Sequence, residues 1–104
     1  MKRNSVHCWV SDGCGWISIT GSATFMQATE VKEFGKKMMT RGIRQFAVGL
    51  EECTEIDSTF MGTLAGIALR LREAGGKRIA IVSVQPLQEA EFQNLGLDEL
   101  FLFC

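Results

Sequence analysis

Apolar and polar residues alternate along positions 6–20, and the alternation is interrupted by Asp12-Gly13. This dipeptide suits a two-residue turn between antiparallel strands, so the pattern predicts a β-hairpin. One face of the hairpin would carry the side chains of Val6, Cys8, Val10, Ile17 and Ile19. The other face would carry His7, Trp9, Trp16 and Ser18. A turn of this length sets Trp9 opposite Trp16, and the pair either stiffens the hairpin or forms a surface for a partner or a second copy.

Helical periodicity follows the hairpin. Thr24 and Gln27 have the spacing of a capping box, and the next apolar positions recur every three or four residues, at Ala28, Val31, Phe34, Gly35 and Met38. A first helix is therefore predicted from about Phe25 to Arg41, ending at Gly42. The run Phe46–Leu50 is apolar without alternation, which predicts a central strand covered on both faces.

The remaining chain alternates between helical and strand patterns. The second helix would bury Phe60, Leu64, Ile67, Ala68 and Leu71 and end at Gly75-Gly76. Further elements are a strand at Arg78–Val84, a helix opened by Pro86 with Leu87, Ala90, Phe92 and Leu95, and a short strand at Leu100–Phe103. This order predicts one α/β domain over residues 1–104. Its mixed sheet would have four to five strands with parallel central pairs, beside three to four helices.

Composition narrows the function classes. The chain has 104 residues and a net charge of -1, so it lacks the basic excess that nucleic-acid binding requires. It contains neither a signal-peptide pattern nor an apolar stretch near the length of a membrane span. We therefore expect a soluble cytoplasmic protein that neither binds nucleic acid nor inserts into a membrane.

The four cysteines, at positions 8, 14, 53 and 104, lack the C-x-x-C spacing of zinc and redox sites. His7, Cys8 and Cys14 would give a metal only three ligands. Reduced and mostly buried thiols are the favoured interpretation, and no metal or cofactor is expected. His7 is the only histidine, and Ser58 lacks a G-x-S-x-G elbow. These features predict a protein that is not an enzyme.

Oxygen-bearing side chains are concentrated at the start of the second helix. Asp57, Ser58 and Thr59 follow a strand-like run, and ligands collect at such carboxyl ends of parallel strands. Either Asp57 or Ser58 would cap the helix, and plain capping explains the cluster without a further role. Gly62 and Gly66 share a helix face with Thr59, Thr63 and Arg70. This smooth stripe either lets the helix approach the sheet closely or leaves a flat docking patch.

These residues belong to a longer pattern. From about Phe46 to Phe103 the chain resembles the STAS domain of bacterial anti-sigma factor antagonists. The resemblance is carried by the apolar strand before Glu51 and by the motifs Ile56-Asp57-Ser58-Thr59, Met61-Gly62, Gly75-Gly76-Lys77 and Leu95-Gly96-Leu97-Asp98. The first 45 residues match through Trp16–Gly21 followed by a helix. Phe60, after the hydroxyl pair, and Thr24-Phe25-Met26 differ from the usual family residues and predict a more apolar neighbourhood for Thr59.

The resemblance implies a STAS fold and a regulatory module without a cofactor. Such a module, when unphosphorylated, binds an anti-sigma factor that is a serine/threonine kinase of the histidine-kinase-like ATPase type. Phosphorylation of the module ends this binding, and a PP2C-type phosphatase restores it. The implied phosphorylation acceptor is Thr59, and Ser58 is the alternative acceptor. If Thr59 is the acceptor, Ser58 is expected to cap the helix. The implied partner-binding residues are Asp57, Ser58, Thr59, Phe60, Met61, Gly62, Thr63, Gly66, Thr24 and Phe25. The other interpretation is a structural or adaptor subunit of a transporter-associated or signalling complex, without a phospho-switch, which assembles through the Trp9/Trp16 face or the Gly62/Gly66 stripe.

Overall fold

A computed structural model describes residues 4–104 of the protein. The strands are β1 (Ser5–Ser11), β2 (Cys14–Ala23), β3 (Phe46–Ile56), β4 (Ile79–Val82) and β5 (Phe101–Phe103). The helices are α1 (Phe25–Thr40), α2 (Ser58–Glu73) and α3 (Pro86–Asn94), and a single 3-10 turn precedes β5. The predicted α/β class is confirmed, with a mixed five-stranded sheet and three α-helices in the described range.

The five strands lie in the order β1-β2-β3-β4-β5, with β1 antiparallel to β2 and all other neighbours parallel. Asp12 and Gly13 form the hairpin turn with φ angles of 51° and 76°. Positive φ at both central residues matches the twist of the flanking strands, as hairpin turns require. Trp9 pairs directly with Trp16, so the predicted register of the hairpin is confirmed.

The helices cover one face of the sheet. Ile17, Val48 and Ile81 point from three adjacent strands into a core that they share with residues of all three helices. Ala47 and Gly49 alternate with Val48 and therefore lie on the opposite face, where Ala47 is only 4% exposed and Gly49 is partly exposed. The prediction that Phe46–Leu50 is covered on both faces therefore agrees with the burial of every residue of the run except Gly49.

Strand β3 is longer than the apolar run that predicted it. It continues to Ile56, and in this second half only Cys53 and Ile56 are buried. Its pairing with β2 shifts register twice, between Ser18 and Thr20 and between Gly21 and Ser22. Such irregularities bend and twist a strand locally. Because of this extension, Asp57 follows β3 at the edge of the sheet where the parallel strands have their carboxyl ends.

Of the four apolar residues that predicted helix α3, only Phe92 is buried, and the other buried residue is polar. Gln88 and Phe92, one turn apart, are buried, whereas Leu87 is 80% exposed and Leu95 is 49% exposed. Gln88 Nε2 donates to the carbonyl of Cys53 at 3.3 Å, and Gln88 Oε1 accepts from the backbone N–H of Gln85 at 3.1 Å. Because its polar atoms are paired, burial of Gln88 is tolerated. The helix is thereby tied to the far end of β3.

Candidate functional site

Asp57 joins the beginnings of α1 and α2. Its Oδ1 accepts from the backbone N–H of Phe60 at 2.8 Å, and its Oδ2 accepts from the backbone N–H of Phe25 at 3.2 Å. Its own N–H donates to the carbonyl of Ala23 at 2.9 Å, at the end of β2. A single carboxylate therefore satisfies unpaired N–H groups of two helices. The N-cap is Asp57, so one of the two predicted capping residues is confirmed and the capping role given to Ser58 is wrong.

We expect Asp57→Ala to lower the free energy of unfolding by about 1–2 kcal/mol, because two helix N-termini lose their acceptor. Asp57→Asn is the matched control, since its amide oxygen still caps α2 while its NH₂ group cannot accept from Phe25 N–H. Urea denaturation of the three proteins measures both effects. A loss for the alanine variant no larger than that for the asparagine variant would contradict the bridging role.

The first turn of α1 has the predicted capping box. Thr24 N–H donates to Gln27 Oε1 at 2.9 Å, and Thr24 Oγ1 accepts from Met26 N–H at 3.2 Å. Thr24 is thus engaged within the domain. The side chains of the next two residues extend into solvent instead, since Phe25 is 66% exposed and Met26 is 72% exposed. Together they form an apolar tip beside the start of α2, which we call the Phe25/Met26 tip.

Thr59 lies in the first turn of α2 with its side chain exposed. Within residues 4–104 its hydroxyl has no hydrogen-bond partner, while its carbonyl accepts from Thr63 Oγ1 at 3.1 Å. Ser58, the first residue of the helix, is exposed as well. Capping therefore does not occupy either hydroxyl, and both are accessible to another protein.

Phe60 and Met61 do not belong to the exposed surface. Both side chains are 0% exposed and pack in the core beneath the sheet-facing side of α2. Their proposed partner-binding role is corrected, because a fully buried side chain cannot reach a docked protein. Phe60 consequently leaves the surface around Thr59 unchanged, and the added apolar character comes from the Phe25/Met26 tip.

Gly62 and Gly66 do not mediate close packing against the sheet. Both are exposed, and a Cβ added at either would meet no atom within 4 Å. The close approach in this region occurs instead at Gly35 of α1, where an added Cβ would lie 2.9 Å from Ile67 Cδ1 of α2. The two helices therefore meet at Gly35, and the smooth stripe of α2 faces open space.

A groove of about 310 Å³ separates the exposed sides of α1 and α2. Three cationic side chains line it, Lys32 and Lys36 from α1 and Arg70 from α2. Thr59 and Thr63 line it too, whereas Ser58 and every carboxylate of residues 4–104 are outside its lining. We call this the α1–α2 groove. Sequence analysis missed it, although the i, i+4 spacing of the two lysines was a visible signal.

The open face of the sheet carries an apolar row. Register places five residues side by side, one from each strand, in the order Trp9, Trp16, Ala47, Ala80 and Leu102. The two indoles stack with centroids 6.0 Å apart and planes 8° from parallel. Trp9 is 44% exposed and Leu102 is 54% exposed. We call this the open-face row. Only its Trp9/Trp16 end was predicted.

The cysteines show no sign of a reactive or metal-binding site. Burial raises the pKa of the Cys8 thiol to about 11, with the nearby Glu30 carboxylate adding to the shift. Burial also raises the pKa of Cys14 and of Cys53, and thiols with raised pKa values are poor nucleophiles. Only Cys53 is fully buried, fewer than expected. Residues 4–104 contain no His, Cys, Asp and Glu cluster able to hold a metal ion.

A sheet of this order, with helices on one face and an exposed hydroxyl in the first turn of α2, defines a small α/β module of the STAS type. The family model described as "Mlab, STAS domain" matches residues 10–102. The chain therefore belongs to this STAS domain family. A search of curated protein sequences finds no significant match. In the described range, no helix combines the length and hydropathy needed to cross a membrane.

Solved structures share the fold at low sequence identity. A putative anti-sigma factor antagonist of Thermotoga maritima superposes with a TM-score of 0.81 at 18% identity, covering 94% of this chain and 84% of that one. Phosphorylated SpoIIAA, a Bacillus cell fate determinant, gives a TM-score of 0.75 at 16% identity, covering 98% and 91%. An anti-sigma factor antagonist of Mycobacterium paratuberculosis gives 0.78 at 17% identity, covering 97% and 85%.

Proposed function

We propose that this chain is an anti-sigma factor antagonist-type binding module that is switched by reversible phosphorylation of Thr59. In its unmodified form it binds a serine/threonine kinase-type anti-sigma factor in the cytoplasm of a bacterium. Phosphorylation ends that binding, and a PP2C-type phosphatase restores it. The kinase supplies ATP and magnesium, so the module is not an enzyme and carries no cofactor of its own.

The observation that supports this function best is the state of the Thr59 hydroxyl. It is exposed and unbonded within the described range, although it lies beside a junction at which Asp57 accepts from the backbone N–H groups of Phe25 and Phe60. A kinase can therefore reach the hydroxyl without disrupting the helix cap. The rigid junction holds it in one place, as recognition by a second protein requires.

A phosphate on Thr59 would change the surface without unfolding the domain. It adds about -1.5 to -2 charges near neutral pH, and the N-terminal turn of a helix tolerates anions because of its N–H groups and macrodipole. A partner that must desolvate this turn to bind would then have to desolvate the phosphate too. Binding weakens while the fold is retained.

Thr59 is favoured over Ser58 by position. Thr59 lines the α1–α2 groove, whereas Ser58 does not. A phosphate on Thr59 would therefore alter a recessed surface shared by two helices. SpoIIAA, which has the same fold, is known in unphosphorylated and phosphorylated forms. That similarity supports a phospho-switch in a domain of this architecture.

Incubation with the cognate kinase and ATP, followed by mass spectrometric mapping, tests the assignment. We expect one added phosphate on the tryptic peptide containing Thr59 and none in Thr59→Ala. Ser58→Ala is the matched control and should be modified like the unaltered chain. A phosphate that persists in Thr59→Ala and disappears in Ser58→Ala would move the acceptor to Ser58, and the absence of modification would refute the switch.

A second candidate function is that of a permanent adaptor subunit of a transporter-associated or signalling complex. The open-face row favours it, because exposed apolar side chains such as Trp9 and Leu102 are a common feature of protein interfaces. A second copy of this chain is another partner that such a face could take. This candidate predicts an association that depends on Trp9 and is indifferent to a negative charge at Thr59.

A further inference from the structure

The α1–α2 groove has a charge that the protein as a whole lacks. Lys32, Lys36 and Arg70 line it without any carboxylate, although the net charge of the chain is -1. Within residues 4–104 none of the three cations forms an ion pair. Three unneutralised cations in one recess favour a negatively charged occupant, because a recess concentrates the field of its charges.

The surface around the groove is too long for a small ligand to cover. On α2 its lining runs from Thr59 to Arg70, which at 1.5 Å per residue is roughly 16 Å of helix. Met39 and Ile67 line it beside the three cations. This combination matches an extended or helical peptide that carries both apolar groups and carboxylates.

We propose that the α1–α2 groove receives an acidic, partly apolar segment of the partner protein, and that phosphate on Thr59 excludes this segment by offsetting the positive charge of the groove. The proposal rests on the function proposed above and specifies the chemistry of its partner. Thr59 lines the groove together with the three cations. Its phosphate, with about -1.5 to -2 charges, would offset much of the positive charge of the groove and so weaken the attraction for carboxylates.

A peptide titration tests the groove without any kinase. The probe is a 14-residue peptide with Glu and Leu at helical spacing, added to the ¹⁵N-labelled full chain and followed by NMR. We expect chemical shift changes at the amides of Gly35, Gly62 and Gly66, which line the groove. A peptide with Lys in place of Glu should leave them unchanged. Equal shifts with both peptides, or none at millimolar peptide, would overturn the proposal.

Two adjacent lysines provide a matched pair of variants. Lys36 lines the groove and Lys37 does not, and both are exposed on α1. Lys36→Glu should weaken binding of the acidic peptide about fivefold, by replacing an attraction with a repulsion. Lys37→Glu should change it by less than about twofold. Equal losses would show that only net charge matters and would refute a specific groove.

Thr59→Glu completes the test by placing one negative charge in the groove. This variant should lower the affinity for the acidic peptide about fivefold, again because an added negative charge repels the carboxylates of the peptide. If it has no effect, the proposed exclusion by phosphate is wrong. If the peptide fails to bind while mass spectrometry maps phosphate to Thr59, the groove is wrong and the phospho-switch stands. If the peptide binds but mass spectrometry finds no phosphate on Thr59, the groove stands and the phospho-switch is wrong.

Discussion

Replacing Phe60 by alanine is expected to lower the free energy of unfolding by about 3–5 kcal/mol, as removal of a fully buried phenylalanine usually does. The side chain is 0% exposed and belongs to the core between α2 and the sheet. The loss combines the lost burial of the ring with the cavity that remains, because neighbouring residues relax only partly.

Phe25→Ala is the control for Phe60→Ala. Phe25 is the same residue type in the first turn of the neighbouring helix, but it is 66% exposed, so its removal should change stability by no more than about 0.5 kcal/mol. Urea denaturation monitored by circular dichroism measures both. Similar losses for the two variants would contradict the division of this junction into a buried and an exposed phenylalanine.

Replacing Gly76 by alanine is expected to destabilise the protein by about 1–3 kcal/mol, the range for overpacking. An added Cβ would lie 2.8 Å from the carbonyl oxygen of Arg44 and 3.1 Å from that of Leu71. These are backbone atoms, and Gly76 N–H donates to the Leu71 carbonyl at 2.7 Å while Lys77 N–H donates to the Arg44 carbonyl at 3.2 Å. The turn cannot open without losing these bonds.

Gly66→Ala is the matched control, with an expected change of opposite sign. It lies in α2, is exposed, and offers an added Cβ open space. Alanine should therefore raise the free energy of unfolding by up to about 1 kcal/mol, through its higher helix propensity. Thermal or urea unfolding separates the two signs. A stabilising Gly76→Ala or a strongly destabilising Gly66→Ala would contradict the packing described for these glycines.

Local signals predicted most of the fold correctly. The Asp12-Gly13 turn set the register of the hairpin, because a two-residue loop allows only one pairing of Trp9 with Trp16. Thr24 and Gln27 placed the start of α1, since a capping box needs only residues within one turn. In both cases the interacting residues are close in the chain, so their spacing carries the information.

Features that depend on distant segments were missed. The α1–α2 groove joins Lys32 and Lys36 to Thr59 and Arg70, and only the packing of two helices at Gly35 brings them together. The open-face row likewise needs the register of four strand pairs at once.

Two patterns in the sequence gave conflicting expectations for Phe60. Helical periodicity placed it on the buried side of α2, while its position beside Thr59 placed it among the partner-binding residues. The side chain of Phe60 is 0% exposed, so it belongs to the core. Adjacent residues on a helix point about 100° apart, so a motif that is continuous in sequence is divided between the core and the surface.

The central claim is that negative charge at Thr59 controls binding of the partner. The most direct measurement compares the affinity of the cognate anti-sigma factor kinase for the unaltered chain, Thr59→Glu and Trp9→Ala by isothermal titration calorimetry. The account predicts a loss of about tenfold or more for Thr59→Glu, because the charge lies within the contact, and nearly unchanged affinity for Trp9→Ala. Unchanged affinity for Thr59→Glu together with loss of binding for Trp9→Ala would contradict it and favour the adaptor function.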